Sequence, residues 1–189
     1  MRRNLPAVLM MTLCLLLTSC GAGENGIRDA LTFRQVLQEH GGCSFTAEVT
    51  TEIEDRGYSF TLSAEYQSGG PTTLTVTAPE TIAGISAAMT DRDTVLSFDG
   101  VELDFGCLDD AMTTPLYAPL VFGQCWDTAY IDCGGMDGEN YRVTYRLGYE
   151  DEELILETWF SGSVPVRCEL YREESLLLSA SVENFTFLT

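Results

Sequence analysis

Phe45-Thr46-Ala47-Glu48-Val49-Thr50-Thr51-Glu52-Ile53, then Tyr58-Ser59-Phe60-Thr61-Leu62-Ser63-Ala64-Glu65-Tyr66, is the stretch whose reading decides the fold. Apolar residues take alternate places in both runs, while Thr, Ser and Glu fill most of the places between. Successive side chains of an extended chain point to opposite faces, so each run is a strand with one apolar and one polar side. The short turn at Asp55-Arg56-Gly57 joins them into an antiparallel hairpin.

Downstream, Ser68-Gly69-Gly70-Pro71 turns the chain into Leu74, Val76 and Ala78, which Pro79 ends. The alternation continues over 85–90, 94–98 and 101–105, with Asp99-Gly100 as a turn, and lapses at Gly106-Cys107-Leu108-Asp109-Asp110. Residues 111–126 are apolar but broken by Pro115, Pro119 and Gly123, which reads as a loop with short helical turns. Strands resume over 141–149, 154–160, 164–171 and 176–187. Upstream, Ala30, Phe33 and Leu37 recur at helical spacing within 27–40, Leu31 widens that face, and Gly41-Gly42 is a stop. About ten one-sided strands must bury their apolar faces, and a closed barrel, a two-sheet sandwich or a sheet curled around a cavity would each do so. The natural covers are the 27–40 helix and the 111–126 segment.

The chain opens on Arg2 and Arg3, an uncharged apolar run from Leu5 to Leu17, and Thr18-Ser19 before Cys20. The run is too short to span a bilayer comfortably, so residues 1–19 read as a processed export signal of the bacterial lipoprotein type. Cys20 becomes the lipidated first residue, and residues 20–26, rich in glycine, read as a flexible tether before one domain at 27–189. The expected location is extracytoplasmic, anchored to the bacterial membrane. Each buried methylene contributes about 0.8 kcal/mol, so two palmitate-type chains hold where one does not.

Charge narrows the partners. The 189 residues carry 29 acids against 10 basic residues, a net charge of −19, and every basic residue is arginine. The leader removes two arginines and no acid, which takes the mature chain to −21. Such a surface repels nucleic-acid phosphates and anionic headgroups, so no nucleic-acid partner is expected and the lipid alone must anchor the protein. Cys43, Cys107, Cys125, Cys133 and Cys168 follow the anchor, an odd number in a compartment that permits disulfides. No Cys-x-x-Cys occurs and His40 is the single histidine, so zinc is not expected; buried, partly paired cysteines are.

Cues for catalysis are sparse. His40 stands at a helix end, where it suits capping, and no Gly-x-Ser-x-Gly or His-Glu-x-x-His is present. Asp109, Asp110, Asp127, Asp132, Asp137 and Glu139 gather around the irregular middle, where paired carboxylates would serve a hydrolase. Turn chemistry explains them more simply. Trp126, Tyr130 and Trp159 are stacking candidates for a sugar, though core or sheet-edge packing suits them better. No cofactor, metal or catalytic residue is expected.

Several motifs together resemble the bacterial lipoprotein-carrier superfamily with the LolA/LolB-like fold. They are the Gly-Gly stop before Phe45-Thr46-Ala47-Glu48-Val49, and Leu74-Thr75-Val76-Thr77-Ala78-Pro79 running on to Ile85. Trp159-Phe160 before Val164-Pro165-Val166-Arg167, and Val182-Glu183-Asn184-Phe185-Thr186-Phe187 at the end, complete the set. The resemblance implies a mainly β (α+β) fold, a strongly curved, incomplete antiparallel barrel with an N-terminal helix and a helical or loop lid over an apolar concave face. It also implies a cavity for acyl chains. In the periplasmic carriers an arginine commonly precedes the proline of the edge motif and latches the lid; here Ala78 stands there.

On that reading Phe45, Phe60, Leu62, Leu74, Val76, Leu96, Phe98, Phe105, Leu147 and Leu156 line a ligand cavity, and burial at about 25 cal/mol per Å² drives its occupancy. The expected function is a non-enzymatic, anchored lipoprotein that holds a lipid or an acylated protein. The alternative is an adaptor with a filled core that docks another envelope protein, and a hydrolase using the acidic middle is the third class.

Overall fold

The computed structural model describes residues 22–53, 56–90, 92–106, 114–149 and 153–189. Eleven strands occur among the described residues: β1 (Gly42–Ile53), β2 (Arg56–Gln67), β3 (Thr72–Ala78), β4 (Ser86–Met89), β5 (Thr94–Phe98), β6 (Val101–Gly106), β7 (Tyr130–Asp137), β8 (Asn140–Leu147), β9 (Leu154–Ser161), β10 (Val164–Arg172) and β11 (Ser175–Phe187). They make one antiparallel sheet in the order β6-β5-β4-β3-β2-β1-β11-β10-β9-β8-β7. The end strands β6 and β7 are not paired with each other, so the barrel is incomplete. The central hairpin keeps the expected faces: Phe45 lies opposite Ala64, Ala47 opposite Leu62 and Val49 opposite Phe60.

Two helices sit on the apolar side, α1 (Ala22–Glu39) and α2 (Ala118–Asp127), the second entered through a 3-10 turn at Pro115–Tyr117. Helix α2 touches β1, β2, β3 and β8 as well as α1. In a flat sheet β3 and β8 would lie about 29 Å apart, at about 4.8 Å per strand. A ten-residue helix is only about 15 Å long. The sheet therefore curls around the helix, and the apolar side is concave.

Three local readings need correction. Helix α1 starts at Ala22, within the stretch expected as tether, because packing overrides the low helical propensity of Gly26. Gly26 is buried on β7 and β8, where an added Cβ would fall 1.3 Å from the Tyr141 hydroxyl oxygen. Leu31, expected on the buried stripe, is half exposed on the far side. Residues 118–127 form one regular ten-residue helix where a loop with short helical turns was expected, with Pro119 in the first turn, where no backbone donor is missed. Gly123 has a packing reason: an added Cβ would lie 2.0 Å from Cδ2 of the Tyr66 ring.

Strand β7 has no counterpart in the sequence reading. Its sequence, Tyr-Ile-Asp-Cys-Gly-Gly-Met-Asp, buries only Ile131, so no apolar alternation marks it. Gly134 is small for the same reason as Gly26, since its Cβ would meet the Tyr141 hydroxyl at 2.0 Å. On the other side of the sheet, Asn184 at φ 52 forms a bulge where β11 shifts register against β1. Beyond it Phe185 and Phe187 both reach the ring of Phe33 on α1, at 5.8 and 5.7 Å between centroids.

Candidate functional site

The concave face divides into a covered and a bare part. Under the helices, Phe33, Phe45, Phe122 and Trp126 form an aromatic cluster with Phe160 and Phe185, their ring centroids 5.0 to 6.1 Å apart. Trp126 is fully buried, and its indole N–H donates to Thr158 Oγ1 at 3.0 Å.

A polar clasp holds the two helices together. Arg34 of α1 donates to the carbonyls of Trp126, Cys125 and Ala129 at 2.9, 3.2 and 2.6 Å. These carbonyls lie at or just past the end of α2, where the helix leaves acceptors unsatisfied and favours positive charge. Burial pulls the Arg34 guanidinium below its usual range, against nearby groups led by Tyr145 and Asp127. Asp127 completes the clasp, accepting Gln38 Nε2 at 2.8 Å and the Tyr66 hydroxyl at 2.9 Å. Sequence reading missed this group; the available signal was Arg34 and Gln38 one helical turn apart beside the apolar stripe. Ala78 leaves the edge motif without an arginine, and Arg34 ties down the cover from a different element.

A cavity of about 490 Å³ opens where α1 crosses the ends of β7, β8, β9 and β11. Its apolar wall comes from Phe33 and Val36 of α1 with Val143, Phe160 and Phe187 of the sheet. Asp29, Thr32, Glu139 and Ser163 supply the polar part of the lining. Tyr141 also lines it; its hydroxyl, held between α1 and β7, has its pKa raised by burial and then by Asp29. The volume falls within the roughly 300–1,000 Å³ usual for small-molecule sites. A second cavity, about 510 Å³, lies near the end of α2 and has a more polar lining that includes Gln67, Thr90, Gln124 and Asp127.

The residues expected to line a ligand cavity are distributed differently. Phe45, Leu62, Leu74, Val76 and Leu156 are buried in the continuous core. Phe60, Leu96 and Leu147 are partly buried against it, and Leu147 alone borders one of the two cavities, the second. Phe98 is 50% exposed, and among the described residues no helix packs over the end of β5. Thr94, at the start of that strand, is buried, and its hydroxyl bonds that of Tyr117. The Phe105 side chain, Cys20, Cys107, Asp109 and Asp110 fall outside the described residues.

The other candidates have structural surroundings. Asp132 pairs with Arg146 at 3.1 Å, and Asp137 accepts the Trp159 N–H at 2.8 Å. Trp159 also lies under the Arg167 guanidinium, 4.7 Å from its ring centroid, while Tyr130 is exposed. His40 shares a hydrogen bond with the Leu188 carbonyl at 2.7 Å and stacks on Phe187, which ties the end of α1 to the end of the chain. Cys43, Cys125, Cys133 and Cys168 are unpaired, so the partial pairing expected of them does not occur among the described cysteines. Burial pushes the Cys43 and Cys168 thiols up to about 12 and raises Cys125 as well. Among the described residues no group of three or more His, Cys, Asp or Glu is placed to hold a metal ion. No described helix is long and apolar enough to cross a membrane.

No sequence-family model matches the chain, and no curated protein matches it. Solved structures do. A LolA superfamily protein from Nitrosomonas europaea is similar over 85% of this chain and 94% of its own, at 10% identity and a TM-score of 0.51. A domain from Vibrio parahaemolyticus, named for outer-membrane lipoprotein sorting, is similar over 88% of this chain and 93% of its own, at 10% identity and a TM-score of 0.50. The chain has the LolA-like fold, as its motifs suggest.

Proposed function

We propose that this protein is a non-enzymatic, extracytoplasmic lipoprotein, anchored through Cys20, that binds an apolar ligand in the cavity beneath α1. The supporting observation is that cavity: about 490 Å³, walled by Phe33, Val36, Val143, Phe160 and Phe187 under a helical cover. Its acidic lining residues, Asp29 and Glu139, oppose an anionic head, so a neutral acyl lipid, or the acyl chain of a lipidated protein, suits it better than a free fatty acid.

This reading moves the ligand away from the ten residues first expected to hold it. Most of those lie in the continuous core or pack against it, and removing them would damage the core before any binding function. The filled core is also the observation that favours the adaptor reading, in which the fold presents only its surface.

The test uses the full-length chain in mild detergent with a fluorescent monoacylglycerol. Saturable uptake by the native protein, reduced by Val36→Trp, supports the carrier. No uptake, together with a lipid extract free of bound lipid, leaves the adaptor. Metabolic labelling with an alkynyl palmitate should mark the native protein and miss Cys20→Ala.

A further inference from the structure

The cavity under α1 combines an apolar wall with two acids that face water. Asp29 comes from α1 and Glu139 from the turn between β7 and β8; both are exposed, and both line it. The lining contains no basic residue. Among the described residues neither carboxylate is in an ion pair. Arg28, next to Asp29 in sequence, lies outside the lining, since successive helical positions point about 100° apart. Arg142, next to Tyr141, is on the opposite face of β8 and pairs with Glu157 at 3.4 Å. Outside the described segments only Arg2 and Arg3, in the expected leader, are basic, so no other undescribed stretch can neutralise the two acids.

We infer that this cavity selects a single-chain amphiphile with a cationic, ammonium-type head, which Asp29 and Glu139 hold while its chain runs along Phe33, Val36, Val143 and Phe160. The inference rests on the carrier reading and adds the sign of the head group to it. Tyr141 shares the lining, and the charge of Asp29 acts on its hydroxyl. An aromatic ring beside the acids adds its own attraction for an ammonium group. A bare divalent cation is a poorer fit. Calcium takes six to eight oxygen ligands, and among the described residues no group of three or more His, Cys, Asp or Glu is placed to hold a metal. A neutral lipid is the intermediate case, and a fatty acid, repelled by both carboxylates, is the weakest. Because the acids face water, each contributes modestly and salt screens it. Together they should favour the cation about fivefold over a neutral head on the same chain.

The test loads the full-length chain, in nonionic detergent, with the fluorescent monoacylglycerol. Tetradecylamine, monomyristoylglycerol or myristate then displaces it at neutral pH and low salt. The three competitors share a chain length and differ in head charge. The readout is the ratio of half-displacement concentrations, glycerol lipid to amine. A ratio of about five is expected, with myristate weakest of the three, and high salt should bring the ratio towards one. Asp29→Asn combined with Glu139→Gln should do the same at low salt. Glu173→Gln combined with Glu174→Gln removes equal charge from the β10–β11 turn, at the other end of those strands, and should leave the native ratio. All four positions are exposed, and unaltered thermal melting confirms that the variants fold. A native ratio near one would overturn the inference, as would a ratio that survives Asp29→Asn with Glu139→Gln, or one lost equally at Glu173 and Glu174. In those cases saturable monoacylglycerol loading still upholds the carrier reading. No saturable loading of that probe would overturn both.

Discussion

Leu156 on β9 and Leu103 on β6 are the same residue type, on the same concave face, at alternate places in amphipathic strands. Leu156 is fully buried and Leu103 is 55% exposed. The cause lies above the sheet. Over the middle of the sheet the helices bring Trp126, Phe33 and Phe122 into the core with Leu156, whereas among the described residues no helix packs over the β5–β6 hairpin. Alternation thus establishes which way a side chain points, and the length and seating of the helices establish whether anything meets it.

The contrast breaks most easily at its centre. Trp126→Ala empties the covered half and removes the indole donor to Thr158; a cost of about 3–5 kcal/mol is expected, read from urea melts. Next comes Gly123→Ala. An exposed helix would gain about 1 kcal/mol from that change. Here the new methyl runs into the Tyr66 ring, which cannot swing aside while its hydroxyl is tied to Asp127. Overpacking at about 1–3 kcal/mol should outweigh the gain and lower the melting temperature.

Alkaline titration sharpens the same comparison. Cys43 and Cys168 under the roof keep their protons to about pH 12, against an ordinary thiol value of 9.0. Above pH 9 the unfolded chain loses protons that the folded one retains, so this stabilisation is complete below 9 and fades as pH rises towards 12. At mildly alkaline pH, iodoacetamide should label exposed Cys133 and spare Cys43, Cys125 and Cys168 until the protein unfolds, as mapped by peptide mass spectrometry. The smallest effect belongs to the bare arm: Phe98→Ser should change stability by less than about 0.5 kcal/mol, since little packing is lost.

Much of this architecture is legible in the residues. The period of two in 45–66 fixes the central hairpin and its faces, and Ala30, Phe33 and Leu37 fix the buried side of α1. Strand β7 escapes because its inward place at Gly134 is small to admit Tyr141, so the apolar signal is missing where packing is tightest. The clasp escapes for a different reason: Arg34 and the carbonyls it binds lie 91 to 95 positions apart, and Arg34 and Gln38 one turn apart do not say what they will meet on another helix. Phe98 reads like Phe45 because both obey the same alternation; only the reach of the roof separates them.

Photolabelling decides where a greasy ligand goes. A diazirine-bearing monoacylglycerol is irradiated with the full-length chain, and the labelled residues are mapped by mass spectrometry. The account predicts adducts on α1 and the sheet residues beneath it, around Phe33, Val36, Val143 and Phe160, competed by unlabelled lipid. Competable adducts on Phe98, Val101 and Leu103 instead, or none anywhere, would contradict it.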